Sequence, residues 1–215
     1  MSTWYSSDHH FGHDNILKFE DENRRDSRGN RFKSVSHMDE YLIEKWNETV
    51  SPGDTVYCLG DMSFKQTVLE AVIPRLHGEK ILVVGNHDPF YKRLNMPRKT
   101  KMHHEAYVDA CRAGFKDISL RLDIEIDGIG AVCLSHFPYW PADISGLPDY
   151  DLRHQENRPV IDDSALLLCG HVHSQWKYQI NKGRPPMLNV GIDVWGLKPV
   201  SEAEIVKLYK DYSEL

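Results

Sequence analysis

The sequence has no apolar run that approaches the ~20 residues of a membrane-spanning helix. Its first ten residues, MSTWYSSDHH, also lack the basic segment and apolar stretch of a secretory signal peptide. We therefore expect a soluble, cytoplasmic protein that does not bind a membrane.

Cysteine is scarce, and no two cysteines form a CxxC pair. Cys58, Cys133 and Cys169 lie in apolar, strand-like runs, where cysteine packs as a small hydrophobic residue. We interpret these three and Cys111 as buried free thiols in a reducing compartment.

Positive charge is also limited, since the formal net charge is −6. This charge argues against broad binding to a polyanion, although a local basic patch stays compatible with it. Histidine, in contrast, is abundant, with 12 residues. The positions of these histidines decide the functional interpretation below.

The 215 residues suffice for one sizeable domain and are short for two, so we predict a single domain over residues 1–215. Short apolar runs typical of strands alternate with helix-like segments, which indicates an α/β protein. Apolar residues alternate strictly from Ile118 to Ile126, which predicts one half-buried strand. The segments ALLLCG, MLNVG and EIVKLY are predicted to supply three more strands.

Five of the strand-like runs end in residue types that bind metals. The polar segments that follow these runs are Asp8-His9-His10, Gly60-Asp61, Gly85-Asn86-His87-Asp88, Ser135-His136 and Gly170-His171-Val172-His173. In open α/β sheets, ligand sites form beyond the carboxyl ends of the strands. If these ends converge, about seven ligands meet at one site.

Mixed Asp, His and Asn ligands favour Mn²⁺, Fe, Zn²⁺, Co²⁺ or Ni²⁺ over Ca²⁺ or Mg²⁺ alone, and Mn²⁺ is our first expectation. Seven ligands exceed the four of a structural zinc site and suit two ions that share a carboxylate. Two ions ~3.5–4 Å apart can bind a phosphoryl group and lower the pKa of a water between them. A structural protein with one zinc ion stays an alternative. The number of metal ions bound per chain would distinguish it from an enzyme with two.

Together these segments resemble the calcineurin-like metallophosphoesterase superfamily, whose signature is D-x-H, G-D, G-N-H-[D/E], H and G-H-x-H. All five elements occur in this order across residues 8–173. The resemblance implies a four-layer α/β fold with two facing mixed β-sheets flanked by α-helices. It also implies hydrolysis of a phosphodiester or phosphomonoester by a hydroxide that bridges two divalent metal ions.

The resemblance also implies a role for each matching residue. Six residues would hold the two metals in two groups: Asp8, His10 and His173, and Asn86, His136 and His171. Asp61 would bridge both ions. His87 would face the scissile phosphate as a general acid or an electrostatic clamp, because an imidazole titrates near neutral pH. Asp88 would orient the His87 ring.

The segment SDHHFGHDNI, residues 7–16, is similar to a subgroup of this superfamily found in bacterial and phage genomes. We expect a small phosphorylated substrate, with nucleotides among the candidates, and no covalent enzyme intermediate. The alternative is a catalytically inactive scaffold of the same fold that binds another protein. Such scaffolds lose ligands or the catalytic histidine, whereas every one of these positions is present here.

Four further residues are candidate substrate contacts, each with a structural alternative. His13 would touch a phosphate or cap the helix predicted to begin near Asp14. Arg25 belongs to a basic stretch that holds an extra phosphate or forms a solvated loop. Tyr139 and Arg153 lie in the loop at residues 137–163, whose aromatic residues would stack on a nucleobase or pack on the domain. His9 is expected to point away from the site.

Overall fold

The fold consists of two five-stranded sheets with helices, as seen in a computed structural model that describes residues 1–97, 99–140, 153–161, 163–180 and 183–213. The described strands are β1 (Thr3–Ser6), β2 (Thr55–Cys58), β3 (Glu79–Val83), β4 (Asp117–Ser119), β5 (Arg121–Ile126), β6 (Gly130–Ser135), β7 (Leu166–Cys169), β8 (Tyr178–Gln179), β9 (Met187–Asn189) and β10 (Val200–Ser201). The described α-helices are α1 (Ile16–Phe19), α2 (Val35–Thr49), α3 (Gln66–Val72), α4 (Tyr91–Leu94), α5 (Thr100–Ala113) and α6 (Glu202–Ser213).

Both sheets are mixed, which confirms the predicted α/β class. The first has the order β10-β1-β2-β3-β4, in which only β10 is antiparallel to its neighbour. The second has the order β5-β6-β7-β9-β8, in which the two edge strands are antiparallel to theirs. A bridge between Ser7 and Gly191 joins the ends of the two sheets, where the Ile192 amide donates to the Ser7 carbonyl at 3.1 Å.

The two sheets face each other across a buried apolar layer. Tyr5 and Val83 of the first sheet belong to the same cluster as Leu134 and Leu168 of the second. The opposite face of the first sheet packs on α2, α3 and α5, and Trp46 of α2 is buried in that contact. Full burial of each such side chain contributes roughly 1.5–3 kcal/mol, so both layers fix the strand ends that carry the polar segments.

The outer face of the second sheet carries a smaller cluster. Its described members are Cys133, Tyr139, Leu167, Cys169 and Met187, with Trp176 packed against them. Tyr139 and Trp176 come from loops. The described residues therefore supply one helical layer and two sheets, and the four-layer arrangement stays a prediction.

Two predicted elements are wrong. The segment EIVKLY lies within helix α6, because Ser201 and Glu204 form a capping box: the Glu204 amide donates to Ser201 Oγ at 3.2 Å and the Ser201 amide donates to Glu204 Oε2 at 3.0 Å. The alternating run from Ile118 to Ile126 is divided between the two sheets at Leu120. The alternation survives because each half lies on a half-buried strand of its own sheet.

The thiols follow the prediction in part. Cys58, Cys133 and Cys169 are buried and form no disulfide bond with another described cysteine, whereas Cys111 is exposed on α5. Among the described helices, none is both long enough and apolar enough to cross a membrane.

Candidate functional site

The strand ends converge as the sequence predicts. In each of two groups, the ligand atoms lie within 4.8 Å of one another: Asp8, His10 and His173, and Asp61, His136 and His171. Asn86 adjoins the second group, where its Oδ1 lies 3.2 Å from His136 Nε2. All seven predicted metal ligands are therefore brought to one place, between the ends of the two sheets.

Asp61 belongs to the second group and also faces the first. Its Oδ2 is 3.4 Å from His136 Nε2 and 3.7 Å from His10 Nε2, so it faces one imidazole of each group. Its Oδ1 accepts a hydrogen bond from the His87 amide at 2.9 Å, which fixes the carboxylate. Burial alone would raise the pKa of Asp61, but the surrounding imidazoles hold it well below its usual range.

The backbone is strained at these ligands. Five of the seven described non-glycine residues with positive φ are predicted metal ligands: Asp8, His10, Asp61, His171 and His173. Such conformations cost about 1–3 kcal/mol each and cluster at functional sites, and Asp and His tolerate them better than most residues do. At each of these residues the left-handed conformation turns the backbone sharply after a strand, so that the side chain points toward the site.

Two glycines allow the loops of the first sheet to meet. A side chain at Gly60, where φ is 88°, would lie 2.5 Å from the Gly85 amide and 2.7 Å from His136 Nδ1. A side chain at Gly85 would overlap the Asp61 carboxylate. The ligand loops therefore touch backbone to backbone, which explains the glycine before both Asp61 and Asn86.

The histidines of the site offer ring nitrogens that suit a metal ion. His136 Nδ1 lies 2.8 Å from the Leu59 carbonyl, a contact that fixes the ring and turns Nε2 toward Asp61. Burial lowers the pKa of His10 well below its ordinary value, and neither of its buried ring nitrogens has a hydrogen-bond partner among the described residues. A buried, unpartnered imidazole is costly unless it binds something, so the donors fit divalent transition metals.

Two residues have roles at the site that the sequence did not predict: Asp193, and Arg24, which belongs to the basic stretch expected to hold an extra phosphate or to form a solvated loop. Asp193 Oδ2 lies 2.8 Å from His173 Nδ1, and the Asp193 carboxylate also binds Arg24, whose Nε donates to Oδ1 at 2.8 Å. Arg24 is 1% exposed and donates to the carbonyls of Asp8 and His9. Asp193 thus orients a predicted ligand, and Arg24 holds the backbone of another. The available signal was an isolated carboxylate in an otherwise apolar run, VGIDVWG.

His87 and Asp88 differ from each other in environment. The His87 side chain is 42% exposed, and its Nε2 lies 4.0 Å from Asp61 Oδ2 at the edge of the two groups. The prediction that Asp88 orients the His87 ring is wrong within the described structure. The Asp88 carboxylate instead accepts hydrogen bonds at 2.8–3.0 Å from the amides of Gly85, Asp61 and Met62. It therefore ties the two ligand loops together.

The side chains of His9 and His13 point in different directions, one into the core and one toward the site. His9 is buried, and its ring stacks on Phe11 with centroids 5.2 Å apart and contacts Trp46, as strand alternation predicts. His13 lies beside the site, with its ring centroid 5.6 Å from that of His10. It is not the N-cap residue of α1, which is Asn15.

The other candidate substrate contacts have less support. Arg25 donates to the carbonyl and carboxylate of Asp21, within its own loop. Tyr139 is 2% exposed and packs against the second sheet, so its ring is not available for stacking. Arg153 is exposed. Residues 141–152 and 162 of the predicted functional loop lie outside the described residues.

Fold and site together define an α/β protein with two adjacent His/Asp groups able to hold metal ions. The sequence is 30% identical to the Gene 66 protein of Mycobacterium phage L5, over 99% of this chain and 96% of that one. It is 31% identical to the Gene 66 protein of Mycobacterium phage D29, over 94% and 93%. The chain therefore belongs to the family of these Gene 66 proteins.

The fold is also found in a solved structure. AQ665 from Aquifex aeolicus, a protein of unknown function, aligns over 96% of this chain and 98% of its own, with 26% identity and a TM-score of 0.56. No protein-family model matches the sequence.

Proposed function

We propose that this chain is a metal-dependent phosphoesterase that hydrolyses a small phosphodiester or phosphomonoester. The observation that supports it most is the position of Asp61, whose Oδ2 faces an imidazole of each ligand group. A carboxylate that is shared in this way is what a site for two ions requires, whereas a structural zinc site needs four ligands and no shared one.

The other six ligands divide into two sets around Asp61. Asp8, His10 and His173 would hold one divalent cation, and Asn86, His136 and His171 would hold the other. Such a pair of cations, Mn²⁺ or the other transition metals named above, supplies Lewis acidity for a phosphoryl group and acidifies a bound water.

Of the two remaining residues, Asp88 fixes the ligand loops and His87 would donate a proton. Asp88 fixes the loops that carry Asp61 and Asn86 through their backbone amides. His87 is the exposed imidazole at the edge of both groups, so its Nε2 is placed to hold a proton for the leaving oxygen. The buried His10 and His136 are instead turned inward as ligands.

We also propose a single domain that completes the four-layer arrangement, a cytoplasmic location and a small phosphorylated substrate such as a nucleotide. The net charge of −6 supports a small substrate over a long nucleic acid. The alternative is a scaffold without catalysis. Complete ligand sets and an exposed His87 support the enzyme.

The first test is hydrolysis of bis-p-nitrophenyl phosphate and p-nitrophenyl phosphate by the protein with Mn²⁺ and with excess EDTA. We expect turnover with Mn²⁺ that EDTA removes, because the phosphoryl group needs the cations for charge stabilisation. The faster ester identifies diester or monoester preference. Metal analysis of the dialysed protein should give two ions per chain; one tight ion, with no turnover under Mn²⁺, Ni²⁺ or Co²⁺, would contradict the proposal.

A second prediction concerns the carboxylate that orients His173. Asp193→Asn should weaken Mn²⁺ binding by about 10–100-fold, the usual effect of losing the partner of a metal-binding imidazole. Removing this charge leaves Arg24 buried without its ion pair, so the melting temperature should also fall. Calorimetric titration of Mn²⁺ into the folded variant, below its melting temperature, measures the affinity.

Glu20 provides the matched control for this variant. Its Oε1 lies 4.0 Å from His173 Nδ1, and with His173 and Asp193 it forms a third possible ligand group. If the ions occupy the groups proposed above, Glu20→Gln should bind Mn²⁺ like the unmodified protein. An equal loss of affinity in Glu20→Gln would place the ion in the outer group instead.

A further inference from the structure

Phe64 is a large aromatic residue left partly open beside the proposed catalytic groups. Its side chain follows Asp61 by three residues and is 40% exposed. The centroid of its ring lies 4.4 Å from that of His87, 4.6 Å from that of His13 and 5.7 Å from that of His10. A group that takes a proton from His87 would therefore emerge against this ring.

The same ring lines a pocket. It measures about 220 Å³ and is lined by Gly12, His13, Asp14, Asn15, Phe64 and Lys65. This volume is below the ~300–1,000 Å³ of sites that enclose a whole drug-sized ligand. It suits one ring system of a substrate whose phosphate is held elsewhere.

The lining combines aromatic surface with several hydrogen-bonding groups. Phe19, which is 72% exposed, brings a second aromatic ring to His13, at a centroid distance of 6.4 Å. His13 Nδ1 is buried without a partner among the described residues. Asp14 and Lys65 add an acceptor and a donor at the rim. Flat rings with polar edges, such as nucleobases, match a surface of this kind.

We propose that this pocket, defined by Phe64 and His13, binds a planar aromatic ring of the leaving group, with a nucleoside as its biological form. The inference rests on the proposed phosphoesterase function and adds the part of the substrate that is recognised. Phe64 acts as a stacking platform, and His13 binds the polar edge of the ring. In this proposal Phe64, not Tyr139, is the residue that stacks on the ring.

The test compares a ligand that carries a base with one that carries a hydroxyl group in its place. Adenosine 5′-monophosphate and ribose 5-phosphate share the phosphate and the leaving 5′-oxygen. Their dissociation constants for the Mn²⁺-loaded protein are measured by calorimetry, and kcat/KM is measured by product release. We expect the nucleotide to be preferred about tenfold or more, the usual value of one stacked base.

The variants assign that preference to the pocket. Phe64→Ala should lower the nucleotide-to-ribose preference about tenfold, and Phe64→Trp should restore it because the larger ring still stacks. Tyr107→Ala, which removes an aromatic residue of similar exposure (42%) on α5, should leave the preference unchanged.

The outcomes separate this inference from the proposed function. Turnover of both ligands with no preference, or a preference that Phe64→Ala leaves intact, overturns the aromatic subsite alone. Selective binding that depends on Phe64, without turnover of any phosphate ester, supports the subsite and overturns the phosphoesterase. Failure to bind or hydrolyse either ligand overturns the subsite, and the p-nitrophenyl esters then decide the function.

Discussion

Asp61→Asn should remove at least one of the two bound metal ions and lower kcat/KM by about 10³-fold or more, at or above the usual loss for one charge-stabilising group. The amide oxygen can still accept from the His87 backbone amide, as Oδ1 does. The amide nitrogen then replaces Oδ2, the atom that faces His10 and His136. An NH₂ group is a donor and cannot bind a cation, so both groups lose their shared ligand.

The metal content and rate are measured on protein whose fold has been checked. The variant should stay folded without metal, since its NH₂ group can donate to His136 Nε2 in place of the present charge contact. Asp123→Asn is the matched control, because Asp123 is an exposed carboxylate on β5, 62% accessible and paired with Arg121. Two ions and unchanged kcat/KM in Asp61→Asn would contradict the shared-ligand assignment.

The positions of the seven ligands were predictable because each follows, at short range, an apolar strand. Parallel strands place their carboxyl ends at one edge of a sheet, so local sequence suffices to bring Asp61 and Asn86 together. The buried pair of Arg24 and Asp193 was not predictable in this way. These residues are 169 positions apart, and their contact exists only because the two sheets meet at Ser7 and Gly191.

The errors in secondary structure have a local cause. EIVKLY is rich in apolar and β-branched residues, yet the Ser201 capping box and the burial of Ile205 place it in a helix. In the run from Ile118 to Ile126, the period of two is correct, but periodicity does not report which sheet a strand joins. The prediction for Asp88 failed similarly, because adjacency to His87 does not show where the carboxylate points.

His87→Ala should retain both metal ions and lower kcat by about 10²–10⁴-fold, the usual contribution of a positioned proton donor. The ring is not among the seven ligands, and its Nε2 stands 4.0 Å from Asp61 Oδ2 at the open edge of the site. His104→Ala, which removes an exposed histidine on α5, is the control and should match the unmodified protein in both properties.

The choice of ester then distinguishes the two roles considered for His87. A proton donor matters most for a poor leaving group, so His87→Ala should slow an alkyl ester far more than a p-nitrophenyl ester. An electrostatic clamp acts on the phosphate and would slow both equally. Full activity toward both esters would remove His87 from the mechanism. Loss of metal from His87→Ala would instead make it a ligand, contrary to its exposed position beside Asp61.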